Sequence, residues 1–143
     1  MVSASVETGT PRPMRILLVE DNSVNRRVLG AMLRAGGFEM DEAEDGPAGL
    51  RMIDEADFDL VLMDLRMPGM DGITAIRHIR ARADTKAGIP VVVITADAGS
   101  TIEAECRAAG ADDLVLKPVS MMALFSAIAA LIGAPGQGQA GPA

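Results

Sequence analysis

Four short apolar runs in this chain each end on residues that can do chemistry. ILLV at 16–19 is followed by Glu20 and Asp21, LVLM at 60–63 by Asp64, VVVI at 91–94 by Thr95, and LVL at 114–116 by Lys117. Three carboxylates brought together repel one another and raise at least one pKa. A divalent cation resolves that repulsion. Oxygen ligands with no His or Cys beside them select Mg2+, which keeps some of its waters. An ammonium from Lys117 and a hydroxyl from Thr95 would complete a setting for a transferring phosphoryl group, whose charge sits on its equatorial oxygens. One carboxylate can then act as nucleophile. Asp64 is the candidate, because it stands between the acidic pair and the Thr95/Lys117 pair. Taken singly, an acidic pair after a strand is a turn or a helix cap. The joint placement at four strand ends carries the reading.

The elements that must position these residues are legible from periodicity. Short continuous apolar runs suit strands buried on both faces of a parallel sheet. They lie at 16–19, 60–63, 91–94 and 114–116, and the alternating stretch 38–43 adds a second strand in chain order. Residues 23–35 carry Val24, Val28, Leu29, Met32 and Leu33 at helical spacing and stop at Gly36 and Gly37. Further helices are predicted over 47–56, with Leu50 and Ile53 inward, and over 73–82, 101–109 and 120–132. Pro68-Gly69 and Asp71-Gly72 mark a loop. On the helix over 73–82, Arg77, Arg80, Arg82 and His78 are expected to face water. Five β–α units imply an α/β fold, with one open, doubly wound parallel sheet covered on both sides. Such sheets bind ligands outside the carboxyl ends of their strands, where the strand order reverses. Glu20, Asp21, Asp64, Thr95 and Lys117 should therefore meet in one crevice.

Composition narrows the function classes. The chain has 143 residues, enough for one domain. Apolar residues make up 49% and aromatics 2%, namely Phe38, Phe58 and Phe125. With no Trp or Tyr, base-stacking platforms are nearly excluded. A net charge of −7 opposes direct nucleic-acid binding. The single Cys106 rules out a disulfide within the chain and a Cys-rich zinc site, and the single His78 rules out multi-His metal sites. No apolar run reaches the roughly 18 residues of a membrane span. The start MVSASVETGTPRP is not a secretory signal, so a cytoplasmic protein is expected. Residues 1–13 and the Gly/Pro-rich 133–143 read as disordered tails around a folded part at 14–132.

The set ILLVEDN, LVLMDLRMPGMDG, VVVITA and LVLKP, in that order and strand context, closely resembles the receiver domain of two-component response regulators over about 14–132. The resemblance implies a flavodoxin-like sheet of five parallel strands in the order 2-1-3-4-5 with five helices. It implies that Asp64 accepts a phosphoryl group from the phosphohistidine of a histidine kinase or histidine phosphotransfer protein, with Mg2+, and so switches protein–protein contacts. Such a domain is a signalling receiver that catalyses its own phosphorylation and dephosphorylation, rather than an enzyme. By the same resemblance, Asp21 and Asp64 would bind Mg2+ directly and Glu20 through a water. The backbone carbonyl of Arg66 would add a ligand. Thr95 would be the switch hydroxyl, Lys117 would pair with the phosphoryl oxygens, and the Lys117–Pro118 peptide would be cis. Arg66 and Asp97 follow Asp64 and Thr95 by two residues each. In the family these positions flank the site and tune hydrolysis, and here their opposite charges predict an ion pair across the crevice mouth. Leu114 stands where the family usually has an aromatic, so an aromatic rotamer switch coupled to Thr95 is not available. Glu-Asp-Asn at 20–22 is similar to receivers of hybrid kinases and phosphorelays.

Three further expectations concern surfaces and rivals. The first helix borders Glu20 and Asp21 and carries more apolar residues than one stripe needs, so Val28 is expected to meet the helical phosphohistidine partner. The last helix carries no charge over 120–132. Leu124, Ile128 and Leu131 should face the sheet, and its other side is either a small-residue surface or a contact face. A monomer is expected, since the charged pattern of receivers that dimerise on DNA is missing. Cys106 is expected to be partly buried in a helix. A Mg2+-dependent phosphatase with an aspartyl nucleophile is the rival enzyme reading, but it wants a carboxylate where Arg66 stands. A phosphorylation-independent adaptor with a receiver fold is the other rival, and the complete set Glu20, Asp21, Asp64, Thr95 and Lys117 argues against it. The chain is expected to be a stand-alone regulator or the receiver of a hybrid kinase.

Overall fold

In the computed structural model, which describes residues 13–97 and 99–133, the apolar runs form strands buried almost end to end. These are β1 (Arg15–Val19), β3 (Leu60–Asp64) and β4 (Val91–Thr95). Two more polar strands flank them, β2 (Glu39–Ala43) and β5 (Asp113–Leu116). All pairings are parallel, in the order β2-β1-β3-β4-β5. The polar strands lie at the edges because only the central three are covered on both faces, and EMDEA buries Ala43 alone. Nearly all of the expected tails at 1–13 and 133–143 lies outside the described residues.

Alternation along each strand sends side chains to two separate apolar clusters. Helices α1 (Ser23–Ala35) and α5 (Met121–Ile132) close one face over Ile16, Leu18, Leu60, Leu62, Val92 and Ile94. Helices α2 (Gly46–Glu55), α3 (Gly72–Arg80) and α4 (Ser100–Ala109) close the other over Leu17, Val19, Val61, Met63, Val91 and Val93. Side-chain caps fix where four helices start. Asn22, Asp45, Asp71 and Ser120 each accept a bond from the backbone three residues on, at 2.8–3.0 Å. Gly72 lets α3 lie against the end of β3, since a Cβ there would sit 2.6 Å from the Asp64 carbonyl oxygen. Among the described residues no helix is long and apolar enough to cross a membrane.

The sequence-based boundaries move by one or two residues. Phe38 precedes β2 and tilts against Phe125, ring centroids 5.9 Å apart. Ser120 caps α5 rather than joining it. Leu124 and Ile128 are buried as expected and Leu131 is half-buried, while Met121 and Met122 are exposed. Cys106 is fully rather than partly buried.

Two of the three arginines expected to face water do structural work instead. Arg82 grips Asp84 and Asp54. Arg80 donates to the carbonyls of Gly110, Ala87 and Ile89 at 2.7–3.0 Å and to Asp112 at 3.1 Å. It thereby ties the last turn of α3 to the 3-10 turn Thr85–Gly88 and to the α4–β5 loop. Helical spacing cannot reveal this, because the partners are backbone carbonyls of later segments. Arg77 and His78 are exposed.

Candidate functional site

The parallel register carries the chemistry to one end of the sheet. Asp64 closes β3 opposite Ile94, and Thr95 closes β4 opposite Leu116. Glu20 and Asp21 sit on the turn from β1 into α1. Lys117 follows β5, its N–H held by the Thr95 carbonyl at 2.8 Å, and the Lys117–Pro118 peptide is cis.

The side chains converge. Lys117 Nζ donates to Asp64 Oδ1 at 3.0 Å and lies 3.7 Å from Glu20 Oε1. Glu20, Asp21 and Asp64 each offer a carboxylate oxygen within 4.8 Å of the other two. Glu20, Asp64 and Thr95 are at most 3% exposed, whereas Asp21 is open to solvent. The Asn22 N–H donates to Glu20 Oε2 at 3.2 Å, while the buried Glu20 Oε1 accepts no hydrogen bond. Burial pushes the Glu20 carboxyl above its usual range; the Asn22 bond opposes this and the Asp64 charge adds to it. Burial likewise raises Asp64, against the opposing pull of Lys117. Burial alone would lower Lys117, but Asp64 and Glu20 outweigh it and hold the ammonium above its ordinary value.

One ammonium thus faces three carboxylates, and one buried carboxylate oxygen lacks a donor. An all-oxygen, electron-rich pocket with an orphaned lone pair fits a hard divalent cation. Sequence reasoning placed Glu20, Asp21, Asp64, Thr95 and Lys117 in this crevice, and the fold brings them to it.

The flanking positions are equally defined. Arg66 Nε donates to Asp97 Oδ2 at 3.0 Å and its Nη2 reaches the same oxygen, so the pair bridges the loops leaving β3 and β4. The Asp97 N–H donates to Thr95 Oγ1 at 3.0 Å, which leaves the hydroxyl proton available to an acceptor. Leu114 is half-buried on β5 and packs on the cluster beneath α2, α3 and α4. Val28 is 49% exposed. With Asn25, Leu29, Lys117, Pro118 and Val119 it lines a groove of about 180 Å3. Sequence reasoning missed Arg26, whose guanidinium donates to the carbonyl oxygens of Glu20 at 2.8 Å and Asp21 at 3.3 Å. It also missed Asn22, although an Asn just before a helical stretch is a recognisable cap.

A doubly wound sheet of order 2-1-3-4-5, with an acidic crevice and a lysine at its carboxyl edge, defines a flavodoxin-like architecture. Residues 16–129 match the response regulator receiver domain, and the chain belongs to that family. Among curated relatives, the chemotaxis protein CheY-3 of Vibrio cholerae is 40% identical over 112 residues, which cover 78% of this chain and 85% of CheY-3. The sensory transduction protein RegX3 of Mycobacterium tuberculosis is 38% identical over 117 residues, 82% of this chain but only 50% of RegX3. Among solved structures, the receiver domain of the sensor histidine kinase PA1611 from Pseudomonas aeruginosa matches with a TM-score of 0.79 and 36% identity. It covers 86% of this chain and 100% of that one, and its structure carries a magnesium ion coordinated in the active-site cleft.

Proposed function

We propose that this receiver takes a phosphoryl group onto Asp64 from a phosphohistidine on a histidine kinase or histidine phosphotransfer protein. The observation that carries the reading is the buried Asp64 carboxylate, 3.0 Å from Lys117 Nζ and grouped with Glu20 and Asp21. A carboxylate oxygen of Asp64 attacks phosphorus, the phosphorus–nitrogen bond breaks, and the imidazole leaves with its electron pair. Glu20, Asp21 and Asp64 are the side chains that would hold Mg2+, with the Arg66 carbonyl as a further ligand. When bound, Mg2+ offsets the carboxylate charge and the charge on the phosphoryl oxygens. Lys117 pairs with one of those oxygens and Thr95 donates its hydroxyl to another. The phosphatase reading lacks a general acid, because Arg66 stands at that position and is bound to Asp97. Acetyl phosphate with Mg2+ tests the assignment by intact mass. A lasting adduct supports a receiver, whereas release of inorganic phosphate without an adduct supports a phosphatase. No reaction supports an adaptor.

Val28→Asp tests donor recognition. Its exposed side chain on the groove beside Lys117 suits contact with a helical partner. Burying a charge there should slow transfer from the phosphohistidine protein about tenfold, the effect of roughly 1.4 kcal/mol. Labelling by acetyl phosphate should stay unchanged. Equal loss from both donors would show that Val28 matters only to the fold.

The Arg66–Asp97 pair should set how long the phosphoryl group lasts. Both side chains are open to solvent, at 70% and 38% exposure. The pair thus adds little to the stability of the fold and its effect is steric: a planar guanidinium over the site hinders the in-line water. Arg66→Ala and Asp97→Ala should each shorten the phosphorylated lifetime, by up to about fivefold. The double variant should be no worse than the more severe single one. Dephosphorylation rates of the four proteins with Mg2+ and no partner decide it, and fully additive effects would sink the pairing.

A further inference from the structure

Arg26 is a half-buried cation that the phosphotransfer chemistry does not use. It lies in the first turn of α1, with its side chain only 19% exposed. Nη1 donates to the Glu20 carbonyl at 2.8 Å and reaches the Asp21 carbonyl at 3.3 Å, while Nε lies 3.6 Å from Glu42 Oε1 on β2. The same turn is tied at two other points. The Glu20 N–H donates to the Ala43 carbonyl at 3.0 Å, and the Arg26 N–H donates to the Asn22 carbonyl at 2.9 Å. The guanidinium therefore links the backbone of both acidic residues to β2.

We propose that Arg26 is a positioning residue for the metal pocket, holding the Glu20–Asp21 backbone so that both carboxylates stay turned toward Asp64. The proposal rests on the reading of that pocket as the Mg2+ site. Three carboxylates within 4.8 Å push one another apart, and Asp21, being exposed, is the one that can swing away. A clamp on its backbone opposes that movement. The clamp also sets positive charge behind the acidic cluster, lowering the work of bringing the carboxylates together. Glu42 holds the guanidinium from the far side. An ammonium could not reproduce this arrangement, because only the planar fork reaches both carbonyls and Glu42 at once. Arg27, the next residue, carries the same charge but is exposed to solvent, so it is an internal control.

The experiment is thermal unfolding of the whole chain by far-UV circular dichroism across a series of Mg2+ concentrations; with no Trp or Tyr, intrinsic fluorescence offers no signal. A ligand bound only by the folded state stabilises it by RT ln(1 + [L]/Kd), so fitting the rise in stability with Mg2+ concentration gives Kd independently of each variant's starting stability. Groups that orient metal ligands commonly change affinity 10–100-fold when replaced. Arg26→Ala and Arg26→Lys should both weaken Mg2+ about tenfold, and Glu42→Gln should weaken it less. Arg27→Ala should stay close to the parent. If Arg26→Lys binds like the parent, charge alone suffices and the positioning role is wrong. It is equally wrong if Arg26→Ala leaves affinity unchanged or Arg27→Ala does as much damage. A parent chain that Mg2+ does not stabilise would overturn the metal reading itself, a result distinct from unchanged variants.

Discussion

Asp64→Asn is expected to take up no phosphoryl group from any donor and, without metal, to melt above the parent protein. The substitution removes the nucleophilic carboxylate but keeps an oxygen that can accept from Lys117. It also removes one of two buried carboxylates that face each other, Glu20 being the second. Burial raises both pKa values, so the folded state takes up protons more readily than the unfolded chain. The two groups therefore destabilise the fold above their raised values. That penalty fades as the pH falls through those values and is gone below the ordinary carboxylate values. The stabilisation by Asn should be present at neutral pH and vanish towards acid. About 1 kcal/mol is a reasonable scale for relieving one such group, or about 5 °C in Tm for a domain of this size. Mg2+ should stabilise the parent and have little effect on the variant. Intact mass after acetyl phosphate treatment and paired melts at neutral and acid pH give the answer. Phosphorylation of the variant at full stoichiometry, or a lower Tm at neutral pH without metal, would refute it.

Arg80→Ala should bring the largest loss of stability of the substitutions considered. The guanidinium serves three backbone carbonyls and one carboxylate, and no other described side chain reaches the Gly110, Ala87 or Ile89 oxygens. Bonds to charged donors contribute about 1.5–3 kcal/mol each, and partly buried carbonyls left without partners add to the loss. Water entering the vacated space recovers some of this, so about 2–4 kcal/mol is expected, or on the order of 10 °C in Tm. Arg80→Lys should recover less than half, because an ammonium cannot bridge carbonyls on two separate segments. Acetyl phosphate labelling should persist below the melting range, since Arg80 lies outside the crevice. A loss within about 0.5 kcal/mol, the range of ordinary surface substitutions, would mean that the clamp is idle.

The part of the fold that depends on burial was open to a reading of the sequence. Continuous apolar runs and helical spacing report which faces meet the core and that helices cover both sides of a parallel sheet, while the strand order came from the resemblance to receiver domains. The crevice was equally legible, because the site residues directly follow those runs and the sheet must bring their ends together. Polar contacts between distant segments were not legible. Arg80 and Arg26 look like ordinary helix arginines, since their partners are main-chain carbonyls that any sequence would supply. The depth of Cys106 was misjudged for a related reason: the spacing of α4 gives its inward stripe, but not how closely α3 packs beside it. Boundaries shifted where capping side chains, such as Ser120, take the place of a helical turn.

The sheet is a wall between two apolar compartments, one under α1 and α5 and the other under α2, α3 and α4. Substitutions that share no partners and lie well apart usually add independently. Changes in packing at Leu29 or Leu33, beneath the helix that carries Val28, should therefore combine additively with changes at Ile76 or Ile79 across the wall. A lineage drifting toward a new signalling partner can revise the α1 side while the α3 side keeps the scaffold above its stability threshold. For the engineer, recognition and robustness can be optimised in separate libraries and then recombined.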